Sequence, residues 1–142
     1  MMDPITENDS VIVRGKHLYK RDGSLFGIRG IAFPTPPDGL PNCGYNSTAW
    51  LDVLHQLRNL LPSQFNAVRL YRMNPLKVDY SEFIEGAAQL GIYIIVPLTS
   101  VSGDGVLDRT LPAPNCYKQS LFNYGANALR QYLKYPNVLG KV

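Results

Sequence analysis

The side chains in this 142-residue sequence that could do chemistry are eleven carboxylates, two histidines and two cysteines. Acid–base or covalent catalysis by carboxylates needs a pair brought face to face from different elements. The acids here are scattered. Asp3, Glu7, Asp9 and Asp22 belong to an amino-terminal arm and a turn, Asp52, Glu82 and Glu85 to helical patterns, and Asp38, Asp79, Asp104 and Asp108 to loops. Glu82 and Glu85, at i and i+3, read as a cap and a solvated helix face. His17, in a hairpin, and His55, in a helix, stand alone, so no Ser-His-Asp or Cys-His arrangement follows from them. Cys43 and Cys116 lie in loop-like surroundings and read either as one disulfide or as two unrelated thiols. CxxC and His-x-x-x-His spacings are absent, so neither a structural metal nor a cofactor is expected.

The elements that must position these groups follow from the apolar pattern. Residues 1–10 read as a disordered, polar arm, without the apolar stretch of a signal peptide. Val11 to Val13 and His17 to Tyr19 are strand material, and Arg21-Asp22-Gly23-Ser24 is a tight turn. Leu25 to Phe33 then runs on as a buried strand. Pro34 to Asn46 is a proline-rich loop, after which Ser47 or Thr48 caps a helix carrying Trp50, Leu54, Leu57 and Leu61 at helical spacing. Trp50 sits on its apolar, core-facing side.

Asn66 to Met73 is the second core strand. Asp79 with Glu82 resembles a capping box for a helix with Phe83, Ala87 and Leu90 on one face, and Gly91 occupies the C′ position. Ile92 to Leu98 is the third core strand, apolar throughout as a strand covered on both faces must be. A Gly- and Pro-containing loop, Thr99 to Tyr117, leads to a helix from Ser120 to Tyr135 with Leu121, Tyr124, Ala128 and Tyr132 on one side. Asn137 to Val142 begins a fourth strand.

Strict alternation of strand and helix means parallel strands joined by right-handed crossovers. Two architectures fit: a doubly wound open sheet, or about half of a (β/α)₈ barrel, whose full length is about 250 residues. The Gly-rich phosphate loop of nucleotide-binding sheets is missing, since Gly103-Asp104-Gly105 follows the third strand and lacks the third glycine. With 45% apolar residues and a net charge of +3 spread without a basic run, the chain is globular and is not expected to bind nucleic acid. Its longest apolar run is too short to span a bilayer.

Four stretches in order carry a resemblance. Val11-Ile12-Val13-Arg14-Gly15-Lys16 through Leu25 to Ala32, then Asn66-Ala67-Val68-Arg69-Leu70-Tyr71, then Asp79 to Ile95, and Tyr135-Pro136-Asn137-Val138-Leu139-Gly140 are similar to the fungal cell-wall β-1,3-glucanosyltransferases, the glycolipid-anchored surface proteins. The resemblance implies an α/β fold: the first half of a (β/α)₈ barrel over residues 11–142, preceded by a β-hairpin. It implies a retaining transfer between β-1,3-glucan chains, which needs two carboxyl groups about 5–5.5 Å apart. In the family the general acid/base follows the fourth strand as the Glu of an Asn-Glu pair, where this sequence has Gly140-Lys141-Val142, and the nucleophile lies later still.

The chain alone is therefore expected to lack both catalytic glutamates and to be inactive. Asp104 and Asp108 are the only acids expected near a barrel mouth, and turn formation explains them. By resemblance, Tyr71 matches an active-site tyrosine and Arg69 an arginine that holds the active-site carboxylates; their alternate spacing puts them on one side of the strand. Asn74 and Arg109 resemble family positions in loops. Pro34 replaces a family glutamine, and Phe83 replaces the cysteine expected to pair with Cys43. The expected ligand is a β-glucan, and exposed strand edges predict a homodimer. A non-catalytic glucan-binding or interaction module and an unrelated doubly wound α/β domain are the alternative readings.

Overall fold

A computed structural model describes residues 2–33, 44–100 and 103–139, the Asp104 side chain excepted. Strands β1 (Val11–Arg14), β2 (His17–Lys20) and β3 (Leu25–Phe26) form an antiparallel meander in that order. Its first turn falls at Gly15, with φ 63°, where the sequence reading had none; the second, at Gly23 with φ 88°, is the expected one. The run from Leu25 to Phe33 is not one strand. β3 ends the meander, and β4 (Gly30–Ala32) starts a second sheet.

That second sheet is parallel, with β4, β5 (Ala67–Arg69) and β6 (Tyr93–Ile95) side by side in sequence order. Ile31, Val68 and Ile94 stand in register, and Ile94 makes a further parallel bridge to Val138. The start of the expected fourth strand is thus present, while residues 140–142 lie outside the described residues. A doubly wound sheet reverses its strand order at a switch point. The described strands show no reversal, and right-handed crossovers in monotonic order place the helices on one face.

Among the described residues, three α-helices cover that face. α1 (Ser47–Leu60) is capped by Asn46, whose Oδ1 accepts from the Ala49 N–H at 3.0 Å; its amide oxygen reaches the third helical position, so the cap is one residue earlier than expected. α2 (Ser81–Gln89) starts after Tyr80 without a capping box, because the Asp79 carboxylate instead accepts from the Ser81 N–H at 2.9 Å. It ends as expected at Gly91, φ 68°, where the Ile92 and Gly91 N–H groups return to the Ala87 and Ala88 carbonyls in a Schellman motif. α3 (Gln119–Tyr132) buries the expected stripe of Leu121, Tyr124, Ala128 and Tyr132, and stops three residues before Tyr135.

Between helices and sheet lies the main core, including Leu54, Val68, Phe83, Ile94 and Tyr132. Trp50 is part of it, with ring centroids 5.4 Å from Phe33 and 5.2 Å from Phe83. A second core closes the amino-terminal end of the sheet's other face with Val11, Phe26, Ala67 and Tyr93. The amino-terminal arm, expected to be disordered, is docked into it. Ile5 is buried, its N–H donates to the Ala88 carbonyl at 2.9 Å, and a Cβ on Gly91 would stand 2.9 Å from that of Met2. The arm is polar in sequence, but one apolar side chain and main-chain pairing hold it.

The Tyr93 hydroxyl anchors the arm by donating to the Asp9 carbonyl at 2.7 Å. Burial, helped by the Asp9 charge, pushes its phenol up to about 12 from 10.0. Folding therefore keeps that proton, and its stabilisation is complete below pH 10. It is lost between pH 10 and about 12, where the unfolded chain ionises first. Tyr93→Phe should cost about 0.5–1.5 kcal/mol at neutral pH through the lost hydrogen bond. In urea melts from neutral to strongly alkaline pH, the variant should lose less stability than the parent; parallel declines would contradict the assignment.

Candidate functional site

Parallel sheets built by crossovers collect functional groups at the carboxyl ends of their strands. Here the in-register row Ala32, Arg69 and Ile95 lies on the face away from the helices, one residue past Ile31, Val68 and Ile94. Val68 is fully buried, whereas Arg69 is exposed. The strand end is clamped from both sides: the Phe33 N–H donates to the Arg69 carbonyl at 2.9 Å and the Leu70 N–H to the Ile95 carbonyl at 3.0 Å. Leu70 turns into the core and Tyr71 turns out, 48% exposed.

Arg69 and Tyr71 meet as their spacing predicts. The guanidinium carbon lies 4.6 Å from the Tyr71 ring centroid. Such an exposed contact contributes about 0.5–1 kcal/mol, enough to bias the ring's orientation. No carboxylate among the described residues pairs with Arg69. Together they make a small platform: an aromatic face, a phenolic hydroxyl and a forked cation, suited to a hydroxyl-rich ring or a carboxylate.

Asn74 lies beyond, in the turn that follows. Its carbonyl accepts from the Lys77 and Val78 N–H groups at 3.1 and 3.0 Å, and its own N–H donates to the Tyr80 hydroxyl at 3.0 Å. Its Oδ1 is buried with no hydrogen-bond partner among the described residues. Arg109 is exposed in the loop between β6 and α3, and among the described residues no hydrogen bond, ion pair or ring contact joins it to Arg69 or Tyr71. The structure thus brings two of the four sequence candidates together.

The remaining chemistry-bearing residues are elsewhere. Asp108 accepts from the Thr110 N–H at 3.0 Å and hydroxyl at 2.6 Å and lies 3.8 Å from Lys118 Nζ. Those Thr110 bonds, side chain first, hold its carboxyl below the usual range, so it is a turn-forming acid. Glu82 and Glu85 are exposed on α2, and His55 on α1. His17 packs edge-on to Tyr19 in the meander. Cys116 is a free thiol, and Asp38 and Cys43 lie outside the described residues. Among the described residues no carboxylate pair stands at the strand ends, no group of three metal-ligating side chains occurs, and no helix is long and apolar enough to cross a membrane.

Sequence reasoning missed two features. Tyr117, just before α3, and Phe122, in its first turn, are 54% and 58% exposed; without periodicity or a motif, nothing marks them in the sequence. A cleft of about 390 Å³ between the loop before α2 and the end of α3 was likewise invisible, because residues distant in sequence build it.

No protein-family model matches the chain. It is 27% identical over 139 residues to pH-responsive protein 1 of Candida albicans, covering 91% of this chain and 24% of that protein. Among solved structures, it matches Gas2 in complex with compound 10, with a TM-score of 0.73 and 17% identity over 94% of this chain and 30% of that one. It also matches Saccharomyces cerevisiae Gas2p in complex with laminaritriose and laminaritetraose, with a TM-score of 0.69 and 20% identity over 94% of this chain and 29% of that one. The fold is thus a mixed α/β fold resembling part of the catalytic domain of Gas2, a TIM barrel. Gas2p is a fungal β-1,3-glucanosyltransferase, so the resemblance read from the sequence reappears in the fold; this chain spans about a quarter of the curated relative.

Replacing Tyr80 by Phe removes the acceptor that closes the turn after Tyr71. The Asn74 amide should then exchange with deuterium faster by roughly the factor of 5–10 that about 1 kcal/mol implies. Unchanged exchange would show that the turn does not depend on this bond.

Proposed function

We propose that residues 11–139 form the first half of a (β/α)₈ barrel that handles β-1,3-glucan, and that they contribute one wall of its sugar cleft. The pairing of Arg69 with Tyr71, at 4.6 Å on an exposed strand end, carries this reading. The sequential strand order supports it, as does the fold shared with a protein solved with laminaritriose and laminaritetraose. Asn74 and Arg109, on the loops after β5 and β6, border the same cleft in this proposal.

Retaining transfer of a glucan chain requires a carboxylate nucleophile on one side of the sugar. A second carboxyl protonates the leaving oxygen and then takes the acceptor's proton. In a barrel both project from strand ends. Strands beyond the one that begins at Val138 would supply them. Arg69 would balance the charge of those carboxylates, and Tyr71 would donate its hydroxyl to the nucleophile or lay its ring along a glucose face. The described residues place no carboxylate pair at the strand ends, which favours binding over transfer for this chain by itself. The open edges of β4 and of the Val138 segment are where further strands, or a second copy, would pair.

Titration of the chain with laminaritetraose, followed by calorimetry, tests this. Saturable binding is expected, weakened at least tenfold by Tyr71→Ala with an unchanged melting temperature. A folded chain that binds no laminaritetraose would overturn the proposal.

A further inference from the structure

The cleft lies where the segment from Pro75 to Tyr80, between β5 and α2, meets Ile84 and the end of α3, and no strand residue lines it. Its volume, about 390 Å³, falls in the range of roughly 300–1,000 Å³ of small-molecule sites. Ile84 and Tyr135 give it apolar surface, while Lys77, Asp79, Gln131 and Lys134 line its mouth. All four mouth residues are exposed. Two of them only donate hydrogen bonds, an ionised carboxylate only accepts, and the amide of Gln131 does both.

That set differs from an anion pocket. The Ser81 backbone N–H, with its hydroxyl and then Lys134 adding to it, holds the Asp79 carboxyl below its ordinary range, so a negative charge stays at the rim. It places an acceptor among the donors and lowers the net charge of the mouth to a single positive charge. Lys134 is also steadied over the Tyr135 ring, 5.2 Å from its centroid, which keeps an aromatic edge beside a donor. A largely polar surface with some apolar patches, an aromatic edge, and mixed donors and acceptors without a strong net charge match a neutral polyol.

We infer that this cleft is a second carbohydrate site, taking a short stretch of neutral glucan on residues other than the strand-end pair of Arg69 and Tyr71. The choice of glucan as the sugar rests on the function proposed above.

Laminaritetraose is titrated into the ¹⁵N-labelled 142-residue chain and into Tyr71→Ala, Lys77→Ala with Lys134→Ala, and Gln131→Trp, which would fill the mouth. Two sets of shifted signals are expected. One, including the Gln131 side-chain amide, should persist in Tyr71→Ala and weaken about tenfold in the lysine and Gln131 variants. If Tyr71→Ala removes every shift, the second site is overturned and the strand-end reading stands. If only the cleft variants weaken binding, the second site stands and the strand-end reading fails. A chain that shows no shifts overturns both.

Discussion

One buried amide, Asn66, sets the register on which the rest of the molecule depends. Its Oδ1 accepts from the Arg29 N–H at 2.8 Å and its Nδ2 donates to the Gly27 carbonyl, also at 2.8 Å. Its own N–H donates to the Arg29 carbonyl at 2.9 Å, and its carbonyl accepts from the Tyr93 N–H at 2.8 Å. Four bonds from one residue thus tie the link between the two sheets to β5 and β6. Because strand side chains alternate with a period of two, a slip of one residue here would send Val68 outward and Arg69 into the helix layer.

The two faces of the parallel sheet are treated differently. On the helix face, Arg58 and Asn137 reinforce packing from within: Arg58 donates to the Pro62 and Phe65 carbonyls, both at 3.1 Å, and Asn137 to the carbonyls of Ile84 and Ile92 at 2.9 and 3.2 Å. On the other face the meander and the arm cover only the amino-terminal ends of the strands. At the carboxyl ends Ala32, Arg69 and Tyr71 are exposed among the described residues. This asymmetry is the one a barrel uses, with a closed floor for stability and an open mouth for chemistry.

Much of this was legible because it is local. The stripe of Leu121, Tyr124, Ala128 and Tyr132, the left-handed Gly91 and the alternate placement of Arg69 and Tyr71 are all periodic or conformational signals within one element. Strand limits were less so: apolar residues run from Ile92 to Leu98, while the ladder pairs only Tyr93–Ile95, since composition continues where hydrogen bonding stops. Asn46 was passed over as a cap in favour of its hydroxyl neighbours, although it caps as well as they do. The docked arm and the cleft between the loop before α2 and the end of α3 arise only when distant segments meet.

If the chain is half of a barrel, its sheet is unfinished on both sides, at β4 and at the Val138 segment. Unpaired strand edges seek partners. Sedimentation velocity of residues 1–142 produced alone tests this most directly. The half-barrel account predicts concentration-dependent dimers or larger species at micromolar chain. A stable monomer across the whole concentration range, with the backbone amides of Gly30 to Ala32 protected from exchange, would contradict it.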